Sequence, residues 1–274
     1  MNTQRKILVV LLSLALMLAF IACQTVGDDN DKKAADDSEI GGIGGGDGNG
    51  GGGADDDATD DDTAGDDDTA GTDITIAYIF NSDAFVGDYQ SLLPDFGVGV
   101  VPIREDQVTA NDFAGIDVIV VESDTSWYNI NQYSHIAAQG IPILGIYEGG
   151  GELLNQLGKE AGWAGGFDEA NVSQGVVALY QEDIFNKPYD LAAAQSSFLD
   201  IYLFGVWLRY HDFIIPPYGV IAPLERPAGS GFSAVAIEDG NVIFWGYQSD
   251  PTIFTQTGLK LFVNCLYFLS GGGK

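Results

Sequence analysis

Three short runs constrain the fold of this chain more than any other feature: "ITIAYIF" (74–80), "DVIVVES" (117–123) and "IPILGIY" (141–147). Each is nearly continuous in apolar residues and rich in Ile and Val. A strand with one wet face alternates apolar and polar residues, so runs without alternation suit strands covered on both faces, as in a parallel sheet. Parallel neighbours need crossovers, and helix-like stretches lie between and after these runs. They fall at about 84–93, at "SWYNINQYSHIAAQG" (126–140), which ends on a helix-stopping glycine, and at "GELLNQLG" (151–158). Strand and helix alternating in this rhythm predict a doubly wound α/β sheet.

The C-terminal portion follows another pattern. "FSAVAIEDGNVIFWGYQ" (232–248) reads as two strands around an Asp239-Gly240 turn, a strong hairpin signal. "TQTGLKLFVNCLYFL" (255–269) sets Leu259, Phe262, Val263 and Leu266 at helical spacing, which predicts a terminal helix burying one face. Cys265 beside them reads as a core thiol. The expectation is one α/β domain over 73–270: a mainly parallel sheet, a C-terminal β-hairpin and a terminal helix.

What precedes that domain does not read as folded. Residues 24–72 hold the glycine run "GGIGGGDGNGGGG" and the repeat "DDDTAG" at 60–65 and 66–71. A segment this poor in large apolar side chains cannot bury enough surface to offset chain entropy, so it is expected to be a disordered tether. As a flexible coil it would span roughly 40 Å on average. Its aspartates lack the spaced Asp-x-Asp-x-Asp-Gly pattern that wraps a calcium ion.

Met1–Ala22 has a basic start, Arg5 and Lys6, then an apolar core of about a dozen residues ending at small Ala22. That is a secretory signal, too brief for a permanent transmembrane helix. With "FIAC" (20–23) as a lipobox, the pattern resembles a bacterial lipoprotein signal. The resemblance implies cleavage before Cys23, acylation of that cysteine and a membrane as partner, each buried CH₂ contributing about 0.8 kcal/mol. Gln24, where an aspartate would mark inner-membrane retention, points to the outer membrane of the cell envelope.

The net charge of −29 is shared by tether and domain: residues 24–72 carry 16 acids against two lysines, residues 73–274 carry 24 acids against seven bases. Such a surface repels phosphate backbones and anionic lipid heads, which excludes nucleic acid as a partner. With Cys23 acylated, Cys265 has no disulfide partner, and the two histidines, His135 and His211, read as packing residues. No Cys/His metal centre can be assembled, and no cofactor is expected.

Ligands of open α/β sheets bind at the carboxyl ends of the strands. Four strand ends here are polar: Asn81-Ser82-Asp83, Glu122-Ser123-Asp124, Tyr147-Glu148 and Gln248-Ser249-Asp250. The stretches "PILGIYEGG", "VVESD" and "VIFWGYQSDP…GLKLFVNCLYFL" resemble the class I glutamine amidotransferase-like superfamily, which has a flavodoxin-like sheet. Catalytic members carry a Gly-x-Cys-x-Gly elbow. Gly145 to Gly149 match it, so the resemblance puts Tyr147 at the nucleophile's place. Their late Gln-Phe-His-Pro-Glu motif, aligned on Tyr247, puts Gln248 at the histidine and Asp250 at the acid. Amide hydrolysis by this route needs a thiolate and the imidazole that generates it. A tyrosine with a pKa near 10 and a glutamine supply neither.

The resulting expectation is a lipid-anchored pseudoenzyme that binds a small molecule, a glycan or an envelope component at the sheet's carboxyl edge. Tyr147, Glu148, Gly149, Gly150, Ser123, Asp124, Gln248, Asp250, Asn81 and Asp83 are the candidate contacts. Two alternatives stay open. One is a hydrolase pairing Glu148 with Asp124 or Asp250, as two carboxylates can on a glycosidic bond. The other is a scaffold without a ligand. Glu148 is explained equally by a helix dipole, and the glycines by a tight turn or by a ligand approaching the amides. The aromatic segment 198–219 reads as core packing or as a stacking platform, with Trp207 and Tyr210 as the residues to test.

Overall fold

The three apolar runs become neighbouring parallel strands, joined by helices that cover both of their faces. The computed structural model describes residues 73–162, 167–213, 216–248 and 250–272; the expected signal, Cys23 and the tether to residue 72 lie outside these. In chain order come β1 (Ile74–Phe80), α1 (Val86–Leu92), β2 (Val98–Arg104), β3 (Val118–Val121), α2 (Ile130–Gln139), β4 (Ile143–Ile146) and α3 (Tyr147–Gln156). There follow β5 (Phe167–Val172), β6 (Gln174–Val177), α4 (Glu182–Phe185), β7 (Phe198–Asp200), β8 (Val206–Asp212), β9 (Val220–Glu225), β10 (Phe232–Glu238), β11 (Val242–Trp245) and α5 (Gln256–Leu269).

The sheet order is β2-β1-β3-β4-β11-β10-β9-β6-β7. All contacts from β2 through β11 are parallel. With β11 as the fifth parallel strand, this is the 2-1-3-4-5 order of flavodoxin-like sheets. From β10 onward the sheet is antiparallel. β5 and β8 pair with each other, and β8 also meets the start of β10.

Burial on both faces explains the missing alternation. Ile76, Tyr78 and Phe80 of β1 join a core with Phe262 and Leu266 of α5. Ala77 and Ile79 point the other way, into a second core with Leu153 and Leu154 of α3. α5 is capped by Thr255, whose Oγ1 accepts from the Gly258 amide at 2.9 Å. Leu259, Phe262, Val263 and Leu266 are buried as their spacing predicts. Cys265 lies among them, and burial pushes its thiol up to about 12, as a core residue. α2 starts on the Asn129 side chain and stops at Gly140, at φ 65°. In the hairpin, Asp239 (φ 52°) and Gly240 (φ 69°) both adopt the left-handed conformation of a type I′ turn.

Two parts of the fold go beyond the sequence expectation. β2 is an edge strand with five of its seven residues wholly or partly exposed, so its pattern is weak. Pro102 is tolerated there because an edge strand has one unpaired side. The antiparallel strands of the middle segment split the aromatic stretch: Leu199, Ile201, Tyr202 and Leu208 are buried, while Phe198, Phe204 and Trp207 are exposed.

Candidate functional site

β4 runs into α3 without a loop. Ile146 is still extended, and Tyr147, the first helical residue, sits at φ +46°. A non-glycine residue held in this region costs on the order of 1–3 kcal/mol and persists only where its surroundings fix it. The fixing contact is glycine on glycine. A Cβ on Gly150 would overlap the Gly145 backbone, and one on Gly149 would overlap Thr125 Oγ1 and the Glu122 carbonyl. The Gly149 amide donates to the Ser123 carbonyl at 3.0 Å. These glycines therefore let α3 lie directly on β4 and on the tip of β3. The strain of the turn is carried by Tyr147, not by a glycine, and the Gly149 amide is already engaged within the protein.

The ring of Tyr147 meets residues from the antiparallel strands. β8 sets Arg209 opposite Asp168 of β5. The guanidinium grips that carboxylate with two parallel bonds, Nε and Nη2 each 2.7 Å from an oxygen. Nη2 also lies 3.0 Å from Glu148 Oε1, and the guanidinium carbon stands 5.5 Å from the centre of the Tyr147 ring. The Arg209 side chain is 7% exposed, Asp168 35% and Glu148 52%, so the cation is buried under two carboxylates that still reach solvent. Burial pushes the Tyr147 phenol up to about 12; Asp168 and Glu148 add to the rise and Arg209 opposes it. That direction is opposite to what a nucleophile needs.

The other strand tips are tied to the protein itself. Asp124 accepts from the amides of Asn81 (2.9 Å) and Ser82 (2.6 Å), joining the ends of β1 and β3. Asp83 faces Arg104 at 3.9 Å. Glu122 is buried, takes the Tyr78 hydroxyl, and accepts from the amide and hydroxyl of Ser123 at 2.7 and 2.6 Å. Asp250 caps the short turn Pro251–Ile253, accepting from the Thr252 amide and hydroxyl. The Gln248 backbone N–H donates to the Trp207 carbonyl at 2.8 Å, beside the Leu208–Tyr247 bridge.

The structure thus joins Tyr147 and Glu148, ties Asn81 to Asp124, and gives Asp250 a capping role. The carboxylate that meets Glu148 across a guanidinium is Asp168. Neither Asp168 nor Arg209, which lies between Trp207 and Tyr210, is among the residues singled out from the sequence. The available signal is a lone arginine between strand-like apolar residues in a base-poor domain. Trp207 is half exposed, whereas Tyr210 stacks on Phe232 (centroids 4.8 Å apart), which separates the two aromatics. His135 lies against Phe113 and 3.4 Å from the Asn111 carbonyl. His211 is buried, stacked on Phe213 and edge-on to Phe244, and burial lowers its pKa to about 4. A cavity of about 220 Å³ lies at the opposite, amino edge, between Ile136, Ile141, Ile143, Leu157 and Val242 with Lys159 at its wall.

No protein-family model and no curated protein matches the sequence. Solved structures do. A protein described as ThuA-like from Bacteroides uniformis aligns with a TM-score of 0.50 at 13% identity, over 72% of this chain and 91% of its own. PurLQS from Thermotoga maritima aligns at 0.49 and 14% identity, over 72% of this chain and 99% of its own. A protein described as a GMP synthase component from Thermoplasma acidophilum aligns at 0.47 and 13% identity, over 73% and 95%. Likeness at such identities concerns the fold alone. Strand order and the ThuA-like match agree: this is a flavodoxin-like α/β fold, with Tyr147 at the turn from β4 into α3.

Proposed function

We propose that this protein is a non-catalytic, amidotransferase-like binding domain, held at the cell envelope by lipid on Cys23, with its ligand site at the carboxyl edge beside Tyr147. The observation that carries the reading is Tyr147 itself. It keeps the left-handed elbow conformation, yet burial holds its phenol protonated, with Asp168 and Glu148 adding to the rise. Gln248 stands where the resemblance places the base. A carboxylate, a guanidinium and an amide around the elbow are groups that bind, and neither the thiolate nor the imidazole that amide hydrolysis by this route needs is among them.

Assay of the full chain for glutaminase and peptidase turnover is expected to return the blank rate. Turnover that disappears on Tyr147→Phe would overturn the reading. Anchoring is tested separately: labelling with a fatty-acid analogue in cells is expected to mark the protein and to vanish on Cys23→Ala.

A further inference from the structure

Strand arithmetic puts the half-exposed Trp207 next to this site. On β8 residues two apart share a face, so Trp207 and Arg209 lie on one side, about 7 Å apart along the strand. The Leu208–Tyr247 bridge is antiparallel, which sets Gln248 directly opposite Trp207 and on that same face. Asp168 is opposite Arg209 on the other neighbour, and Glu148 reaches the guanidinium from α3. The face therefore presents, in a row, an indole, a primary amide, and a carboxylate held by a buried arginine. Phe204, in the loop that leads into β8, is also 68% exposed.

We propose that the ligand is a neutral glycan, one sugar ring lying on Trp207 with its hydroxyls bonded by Gln248 and Glu148. This rests on the binding reading above and names the ligand class for it. The C–H face of a sugar ring is an apolar surface of the kind aromatic faces cover. Its rim of hydroxyls needs donors and acceptors together, and an amide beside a carboxylate provides both. Arg209, locked by Asp168, acts on the ligand through Glu148 by holding its half-exposed carboxylate in place. Charge selects against acidic glycans: the cluster has two carboxylates to one guanidinium, on a domain of 24 acids and seven bases. A row of residues across a strand suits an extended oligosaccharide lying over the surface.

The test is titration of the full chain, in a detergent without a sugar headgroup, with glucan, mannan, xylan and chitin tetrasaccharides. Tryptophan fluorescence and calorimetry are the readouts. A panel of amino acids and short peptides, and uronate or sulfated versions of the sugars, run beside them. At least one neutral series is expected to bind. Trp207→Ala should weaken it about tenfold or more, with Trp207→Phe milder, as loss of a stacking face predicts. Glu148→Gln should weaken it less, and the acidic sugars should not bind. Binding of neutral sugars unaffected by Trp207→Ala would overturn the placement. If only the amino acids or peptides bind, and Glu148→Gln weakens them, the glycan proposal fails while the binding reading stands. If no panel member binds, both fail.

Discussion

The two halves of the sheet are different kinds of surface. In the parallel half every residue of β3 and β4 is buried, so those side chains are committed to packing and only the strand tips reach solvent. In the antiparallel half β7, β8 and β9 leave side chains wholly or partly exposed. β8 buries Leu208, exposes Trp207, and sets Arg209 beneath two carboxylates from other elements. The parallel half places Tyr147; the antiparallel half supplies what surrounds it. The proposed departure from amidotransferase chemistry thus falls where the halves meet, at Tyr147 and the groups that face it.

The sharpest way to break this division is to disturb the parallel half at its closest contact. Gly150→Ala pushes a methyl into the Gly145 backbone, and no flexible side chain stands there to yield. The helix must lift off β4, with an expected loss of about 3 kcal/mol in urea unfolding. A mild effect would mean that Tyr147 is not held by this contact.

A loss of similar size, dependent on pH, is expected on the antiparallel side. His211 is buried neutral, and burial, aided by Arg209, lowers its pKa from 6.5 to about 4, with a backbone bond at Ala161 opposing. Below pH 6.5 the unfolded chain takes up a proton that the folded chain refuses, so stability falls between about pH 6.5 and 4 and is flat above. The ceiling is about 3 kcal/mol. His211→Phe keeps a ring against Phe213 and Phe244 and should flatten that part of the profile. An unchanged slope in the variant would assign it to carboxylates.

Arg209→Met tests the junction itself. Removing a buried cation leaves Asp168 and Glu148 facing each other. The full figure for breaking a buried pair is about 3–5 kcal/mol, but both carboxylates are over a third exposed, so about 2 kcal/mol is expected. Asp168→Asn should lose less, because one bidentate oxygen survives as an acceptor. If neither variant moves the unfolding midpoint, the cluster is not organising the elbow.

The same contrast explains what was legible in the sequence. The parallel strands, α2, α3, the Asp239-Gly240 hairpin and α5 follow from local pattern, because continuous burial and helical spacing are written in consecutive residues. β2 escaped because an edge strand is half wet and carries Pro102. The strands β5 to β9 escaped because their partners are distant: Asp168 meets Arg209 across 41 residues. The site divided likewise. The elbow is a contiguous motif and could be read, whereas the Arg209–Asp168 pair is a product of register. At the tips composition does not separate two roles: Asp124 has the composition of a site residue, and its carboxylate also ties β1 to β3.

The smallest effect is expected at Asp250, and it separates inheritance from use. The resemblance puts this residue on the acid of a catalytic triad, while the structure gives its side chain to the Thr252 amide and hydroxyl. Loss of a cap costs typically about 1 kcal/mol, and this one serves a turn of only three residues. Asp250→Ala should therefore lower stability by about 0.5 kcal/mol and leave ligand affinity within about twofold, the range of a substitution outside the site. Glu148→Gln should do the reverse, changing affinity more than stability, because its carboxylate is half exposed and its neighbour Arg209 keeps Asp168. If instead Asp250→Ala and Glu148→Gln abolish one hydrolytic activity together, the two carboxylates act as a pair, and the junction between the halves is a catalytic site.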